Sequence, residues 1–315
     1  MGVRTGAAPV TDGHENAGYR RLFDTDRLTF GAGFPLTGIG ESRPPVDDEM
    51  ELAAHAESIG FDALWARDVP LYWPRFGDAG QTFDAWPWLG HVAAHTSEIA
   101  LGTASVVLPL RHPLHVAKSA ASIDRLSDGR LVMGVATGDR DPEFPAFDVD
   151  AETRGEAFRE HVDVLRTVWR EEFPEIDSRW GSLEGDLDLV PKPTTETIPL
   201  LPTGHARQSV EWIGEHGDGW FFYHLPMDTL ESYLADWRDA GGDKPYAMAV
   251  RTELADEPDA DPEPIHLGYR AGSEWFAEYF RELEALGVDH VLVSTAGDAP
   301  ERELTQFAED VIEQV

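Results

Sequence analysis

Short apolar runs alternate along this chain with longer segments of helical period. The runs "LTFGAG" (28–33), "DALWAR" (62–67), "IALGTASVV" (99–107) and "GRLVMGVA" (129–136) predict strands, as do "IPLLPTG" (198–204), "GWFFY" (219–223), "YAMAVRTEL" (246–254) and "HVLVSTA" (290–296). Several are apolar at consecutive positions, the pattern of strands covered on both faces. Helical patterns fall between them, at 47–59, 84–97, 113–127, 152–170, 206–216, 227–240, 272–286 and 299–314. In 113–127 the stripe is Leu114, Ala117, Ala121 and Leu126, with Pro113 suited to the first turn and Gly129 just past the end. Eight such alternations predict an α/β fold, a (β/α)8 TIM barrel with insertion segments. A doubly wound sheet is the alternative.

Residues 1–26 are polar and Gly-rich and predict a flexible N-terminal arm, which leaves 27–315 as a single barrel domain. Two connections are longer than a barrel needs: 171–197, and the acidic, Pro-rich 253–269. Connections of this length are lids or binding loops. For the second, a solvated spacer is the other reading.

Composition narrows the picture. The chain has 315 residues, 42% of them hydrophobic, enough for one large barrel. Its formal net charge is −34, with Asp+Glu 59 against Lys+Arg 25, and its lysines are Lys118, Lys192 and Lys244. That balance predicts a halophilic protein, and it argues against nucleic acid and anionic membranes as partners. The absence of cysteine excludes disulfides, thiolate nucleophiles and zinc–thiolate sites. The N-terminus lacks a signal-peptide core and there is no long apolar run, which predicts a cytoplasmic protein. His91 and His95 have metal-ligand spacing, but no glutamate completes an HExxH pattern, so no metal is expected.

A barrel site belongs at the C-terminal strand ends. The predicted ends place Phe34, Asp68, Arg111, His112, Thr137–Arg140, Gly204–Arg207 and His224 there. "GHARQS" (204–209) opens a predicted helix after a strand, so its N–H groups can face an anion, and Arg207 can add bidentate contacts.

"LGTASVVLPLRHPLHVAKSAASIDRLSDGRLVMGVATGD" (101–139), with "GFDALWARD" before it and "EFPAFDVD" and "ARQSVEWIGEHGDGW" after it, resembles the bacterial luciferase-like monooxygenase family. The likeness covers most of 28–240. It implies an oxidoreductase whose mouth holds reduced FMN or the deazaflavin F420. It also implies a small organic substrate, a reductase that supplies reduced FMN, and a homodimer. The third strand would pass beneath the isoalloxazine ring. Ala104 and Ser105 would leave room for it, joined by a non-prolyl cis peptide; relief of crowding in a narrow barrel is the other reading.

The resemblance further places phosphate contacts on Gly204, Arg207, Gln208 and Ser209, and on Arg154, which could instead pair with Glu152 or Glu156. Luciferase-type members carry arginine where Thr137 stands. Thr137, Gly138, Asp139 and Arg140 are therefore candidates for the ring edge, with an ion pair of Asp139 to Arg140 or Asp141 to the latter as the alternative. Luciferases place a catalytic histidine where Val69 stands, so light emission from an aldehyde is not expected. Arg67 and Asp68 remain as catalytic candidates, against a structural salt bridge. His112 would orient the cofactor or cap a helix; Trp86 and Trp88 would pack near the mouth or a dimer contact. The leading function is a monooxygenase using reduced FMN and O2. F420-dependent hydride transfer, a non-catalytic flavin-binding protein and, more remotely, a metal hydrolase are the alternatives.

Overall fold

The computed structural model describes residues 14–34, 46–76, 83–294 and 299–315. Its strands are β1 (Thr29–Phe34), β2 (Ala63–Ala66), β3 (Ala100–Val107), β4 (Leu131–Ala136), β5 (Glu175–Ser178), β6 (Gly181–Glu184), β7 (Leu200–Pro202), β8 (Trp220–Tyr223), β9 (Tyr246–Leu254), β10 (Glu263–Ile265), β11 (Gly268–Ala271) and β12 (His290–Ser294). Neighbours β12–β1–β2–β3–β4–β7 pair in parallel. Thr203 bridges to Phe221, β8 pairs with β9, and β9 returns to β12. The eight predicted strands thus close a parallel barrel, and helices cover its outside. Closure excludes the doubly wound alternative.

Period-two alternation separates two apolar layers. Phe30, Leu64, Leu101, Met133 and Val291 face the helices. Ala63, Trp65, Ala100, Val132, Leu201, Phe221, Ala247 and Leu292 fill the barrel. Trp65 lies across the interior, and the neighbouring strands give way: a Cβ on Gly31 would sit 2.5 Å from Trp65 Nε1, and one on Gly102 2.2 Å from Trp65 Cε3. Trp65 Nε1 donates to His290 Nε2 at 2.9 Å, so the neutral imidazole carries its proton on Nδ1, which faces Thr29 Oγ1 at 2.8 Å. Burial, and secondarily Arg27, lowers the His290 pKa to about 3.

The predicted arm is corrected in its second half. Residues 17–23 form a helix, N-capped by Asn16, that plugs the lower end of the barrel with Tyr19, Leu22 and Phe23. Asn16 Nδ2 also donates to buried Asp124 Oδ1 at 3.1 Å. Residues 1–13, the Phe34 side chain and the end of the predicted strand 290–296 lie outside the described residues.

Both long connections carry structure that the pattern did not predict. β5 and β6 form a separate antiparallel hairpin. β10 and β11 extend the barrel sheet, β11 pairing with Arg251–Leu254, the upper half of β9. That second connection is therefore an ordered wall above the mouth. Among the described residues no helix is long and apolar enough to cross a membrane. Trp86 and Trp88 are buried in the outer core.

Candidate active site

At the C-terminal end the interior changes character. One arc of the mouth is nearly bare: Gly33, Ala104 and Ala136 are the inward residues at the upper ends of β1, β3 and β4. The Ala104–Ser105 peptide is cis, as the resemblance implied. The β3–β4 register shifts between Thr103 and Val106, leaving Ala104 and Ser105 partly exposed to the mouth. Ser105 and Thr203 hydroxyls share a hydrogen bond over β4. It is possible because Gly134 lies between them; a Cβ there would be 2.9 Å from Ser105 Oγ and 2.2 Å from Thr103 O. Ser105 is thereby tied to the residue preceding Gly204.

The predicted phosphate residues meet at one corner. Gly204, Ala206 and Arg207 have φ of 59°, 44° and 54°, so this segment is a left-handed turn, and the helix starts only at Val210. The expectation of a helix from 206 is corrected, and Ser209 serves as its N-cap, accepting from Trp212 N. A Cβ on Gly155 would lie 3.2 Å from Arg207 Cβ, which puts the turn against the start of the helix Arg154–Arg170. Gln208 is buried between them, donating from Nε2 to Gly155 O at 3.0 Å and Ala206 O at 2.9 Å, and accepting from Arg159. Arg207 is exposed and makes no hydrogen bond or ion pair among the described residues. Arg154 pairs with neither Glu152 nor Glu156. It is buried, bonded to Ala151 O, stacked over Phe144 at 5.0 Å, and its Nε lacks a partner among the described residues.

Other candidates are used inside the protein. Asp68 is buried and held by Arg111, Nε to Oδ2 at 3.0 Å and Nη2 to Oδ1 at 2.5 Å, with Val107 N on Oδ2 at 3.3 Å. Arg111 also reaches Asp84 Oδ2 at 3.0 Å. Although burial opposes its charge, these carboxylates hold the Arg111 pKa above its ordinary value. Asp68 is therefore held in a salt bridge whose partner is Arg111. Arg140 pairs with buried Glu143, bonds Leu71 O and lies 5.4 Å from the Phe76 ring. It ties the β2 loop to the β4 loop and does not face the mouth as a free cation. Thr137 is buried, and Gly138 (φ 85°) turns the chain where a Cβ would meet Val107 Cγ1 at 2.8 Å. His112 caps its helix, Nδ1 accepting from Leu114 N at 3.2 Å. His224 packs edge-on to Tyr269 at 5.1 Å, and burial lowers its pKa. Among the described residues no group of three or more His, Asp or Glu could hold a metal.

Sequence reasoning overlooked Tyr223, Arg251 and Ser294, which end β8, the barrel half of β9 and β12. Alternation within "GWFFY" would have placed Tyr223 inward above Phe221. Burial, and then the charge of Asp139, raises the Tyr223 phenol pKa, against a smaller opposing effect of Arg67. Asp139, Arg67 and Tyr223 therefore share one region of the mouth.

A closed parallel barrel with a polar, half-bare mouth at its strand ends has the architecture of (β/α)8 enzymes. The chain belongs to the luciferase-like monooxygenase family, whose pattern matches residues 28–261, and it is an oxidoreductase of that family. It is similar to the F420-dependent glucose-6-phosphate dehydrogenase of Beutenbergia cavernae, 29% identical over 82% of this chain and 77% of the relative. Among solved structures, an F420-dependent secondary alcohol dehydrogenase in complex with an F420–acetone adduct superposes with a TM-score of 0.74 at 19% identity, covering 92% of this chain and 99% of that one. The FMN-bound oxygenating constituent of 3,6-diketocamphane monooxygenase from Pseudomonas putida gives 0.72 at 16% identity, with coverage of 92% and 99%.

Proposed function

We propose that this protein is a hydride-transfer oxidoreductase working with a deazaflavin of the F420 type, with an FMN-dependent monooxygenase as the second reading. The observation that carries a tricyclic cofactor is the bare arc at Gly33, Ala104 and Ala136, joined through Ser105–Thr203 to the corner of Arg154, Arg207 and Gln208. The residues fit such a group. Small side chains leave room for a flat ring, the exposed Arg207 can meet a phosphate, and buried Arg154 Nε has no partner among the described residues. F420 is favoured because the 29% identical relative, matched over 82% of this chain, is an F420-dependent dehydrogenase. FMN stays as the second reading because the diketocamphane monooxygenase holds it on the same barrel.

When bound, F420 would supply or accept a hydride, and reduced FMN would activate oxygen. The protein's own share is placement. Ala104 and Ser105 would support one face of the ring, Arg207 and the turn N–H groups would hold the phosphate, and the β2 and β4 loops, locked by Arg140, would limit water. An FMN enzyme would also draw on a separate reductase, and an F420 enzyme on a separate reaction that returns the deazaflavin to its starting oxidation state.

Titration of the purified protein with F420 and with FMN, followed by cofactor absorbance, tests the reading. F420 is expected to bind more tightly. Arg207→Ala is expected to weaken either phosphorylated cofactor roughly ten- to a hundredfold while leaving riboflavin almost unchanged, since charge-assisted contacts contribute about 1.5–3 kcal/mol. Equal losses for FMN and riboflavin would put the phosphate on other residues, and failure to bind either cofactor would end the reading.

A further inference from the structure

The polar arc of the mouth carries a group that the cofactor reading leaves unused. Tyr223 ends β8 on the interior side, one layer above Phe221. Its ring is set by backbone: a Cβ on Gly204 would lie 3.2 Å from Tyr223 Cε2. The ring is 42% exposed, and its hydroxyl makes no hydrogen bond among the described residues. Tyr19, on the closed end of the barrel, shows the contrast by donating to Asp218 O at 2.8 Å. We propose that the Tyr223 hydroxyl is the donor that holds the oxygen of an uncharged carbonyl or alcohol substrate over the bare arc. This rests on the cofactor reading of the mouth.

The neighbours of Tyr223 decide what it can hold. Burial and the Asp139 carboxylate keep the phenol protonated, so it is a donor at neutral pH and not a base. Asp139 also disfavours an anion beside it, and its effect at Tyr223 is larger than the opposing one of Arg67. The cation of the adjoining strand, Arg251, already meets Glu253 at 3.0 Å. The loop after Arg67 carries exposed Leu71 and Phe76, fixed to the mouth side by Arg140. A neutral oxygen on an apolar body matches these groups better than a carboxylate or phosphate does.

The test uses the full chain loaded with whichever cofactor it binds. Cyclohexanone is titrated against the absorbance of the bound cofactor, with methylcyclohexane as the probe lacking oxygen. Cyclohexanone is expected to perturb the spectrum saturably in the unaltered protein, and Tyr223→Phe is expected to weaken it about tenfold, the effect of one lost hydrogen bond. Cofactor affinity and the methylcyclohexane response are expected to be the same in both proteins. Equal cyclohexanone affinity in the Phe variant, or no response in cofactor-loaded unaltered protein, would overturn the proposal. A variant that loses its cofactor would also overturn it, by making Tyr223 a cofactor contact. Failure of the unaltered protein to bind any cofactor is a separate result, against the functional reading itself.

Discussion

Gly102 has no room for a methyl group, because Trp65 already occupies the space above it. Gly102→Ala is expected to lower stability by roughly 1–3 kcal/mol, the range for overpacking a filled core. A melting temperature equal to that of the unaltered protein would show that Trp65 can move aside. Buried imidazoles give a second test. His161 is buried against Trp180 at 5.2 Å, both ring nitrogens lack partners among the described residues, and burial, with a smaller contribution from His112, lowers its pKa to about 3. The unfolded chain takes up a proton near 6.5 and the folded chain does not. This histidine's contribution to stability is therefore complete above that pH and is lost as pH falls toward 3. His161→Leu is expected to leave stability at pH 7 unchanged or higher. It is also expected to reduce the stability lost between pH 6 and 4 by about 2–3 kcal/mol, at about 1.4 kcal/mol per pH unit. Urea unfolding at the two pH values measures this, and identical losses would refute it.

The N-terminal helix is short, yet it closes one end of the barrel. Leu22 is fully buried in the interior cluster, and Gly18 is pressed to the backbone, where a Cβ would stand 2.3 Å from Arg130 O. Leu22→Ala is expected to cost about 2–4 kcal/mol, as for other buried leucines. A loss below 0.5 kcal/mol by urea unfolding would mean that the barrel stands without its plug. The composition of 1–26 hid this element, because seven helical residues among Gly and charged neighbours show too little period. The late start of the helix at Val210 has a similar cause. Propensity does not announce two consecutive non-glycine residues with positive φ, Ala206 and Arg207; packing against Gly155 holds them there.

Across the whole molecule, the net charge of −34 predicts a dependence on salt. Carboxylates on its surface repel one another over about 10 Å at 0.1 M salt and over about 3 Å at 1 M. The melting temperature is therefore expected to rise from low to molar KCl. A flat profile would contradict a halophilic origin. The same far field repels an anionic cofactor, which is why short-range contacts at the Arg207 corner carry the proposed phosphate binding.

The eight-stranded order was readable in the sequence because strand and helix periods are local, and eight repeats of one pattern leave few ways to bury every apolar face. The thin centre of β3 was visible as Ala104 and Ser105 between larger residues, but the pattern alone did not separate an open place from relief of crowding. The sequence alone determined the charge and the lack of thiols. Only the closed barrel decided partners. Asp68 lies just past the end of β2, and closure brings it to Arg111, 43 residues away. Arg140, in the loop after β4, meets Glu143 and Leu71 O, and alternation along β8 puts Tyr223 on the mouth side with Phe221. Sequence sets which face a side chain occupies, while which groups share that face depends on strands brought together by closure.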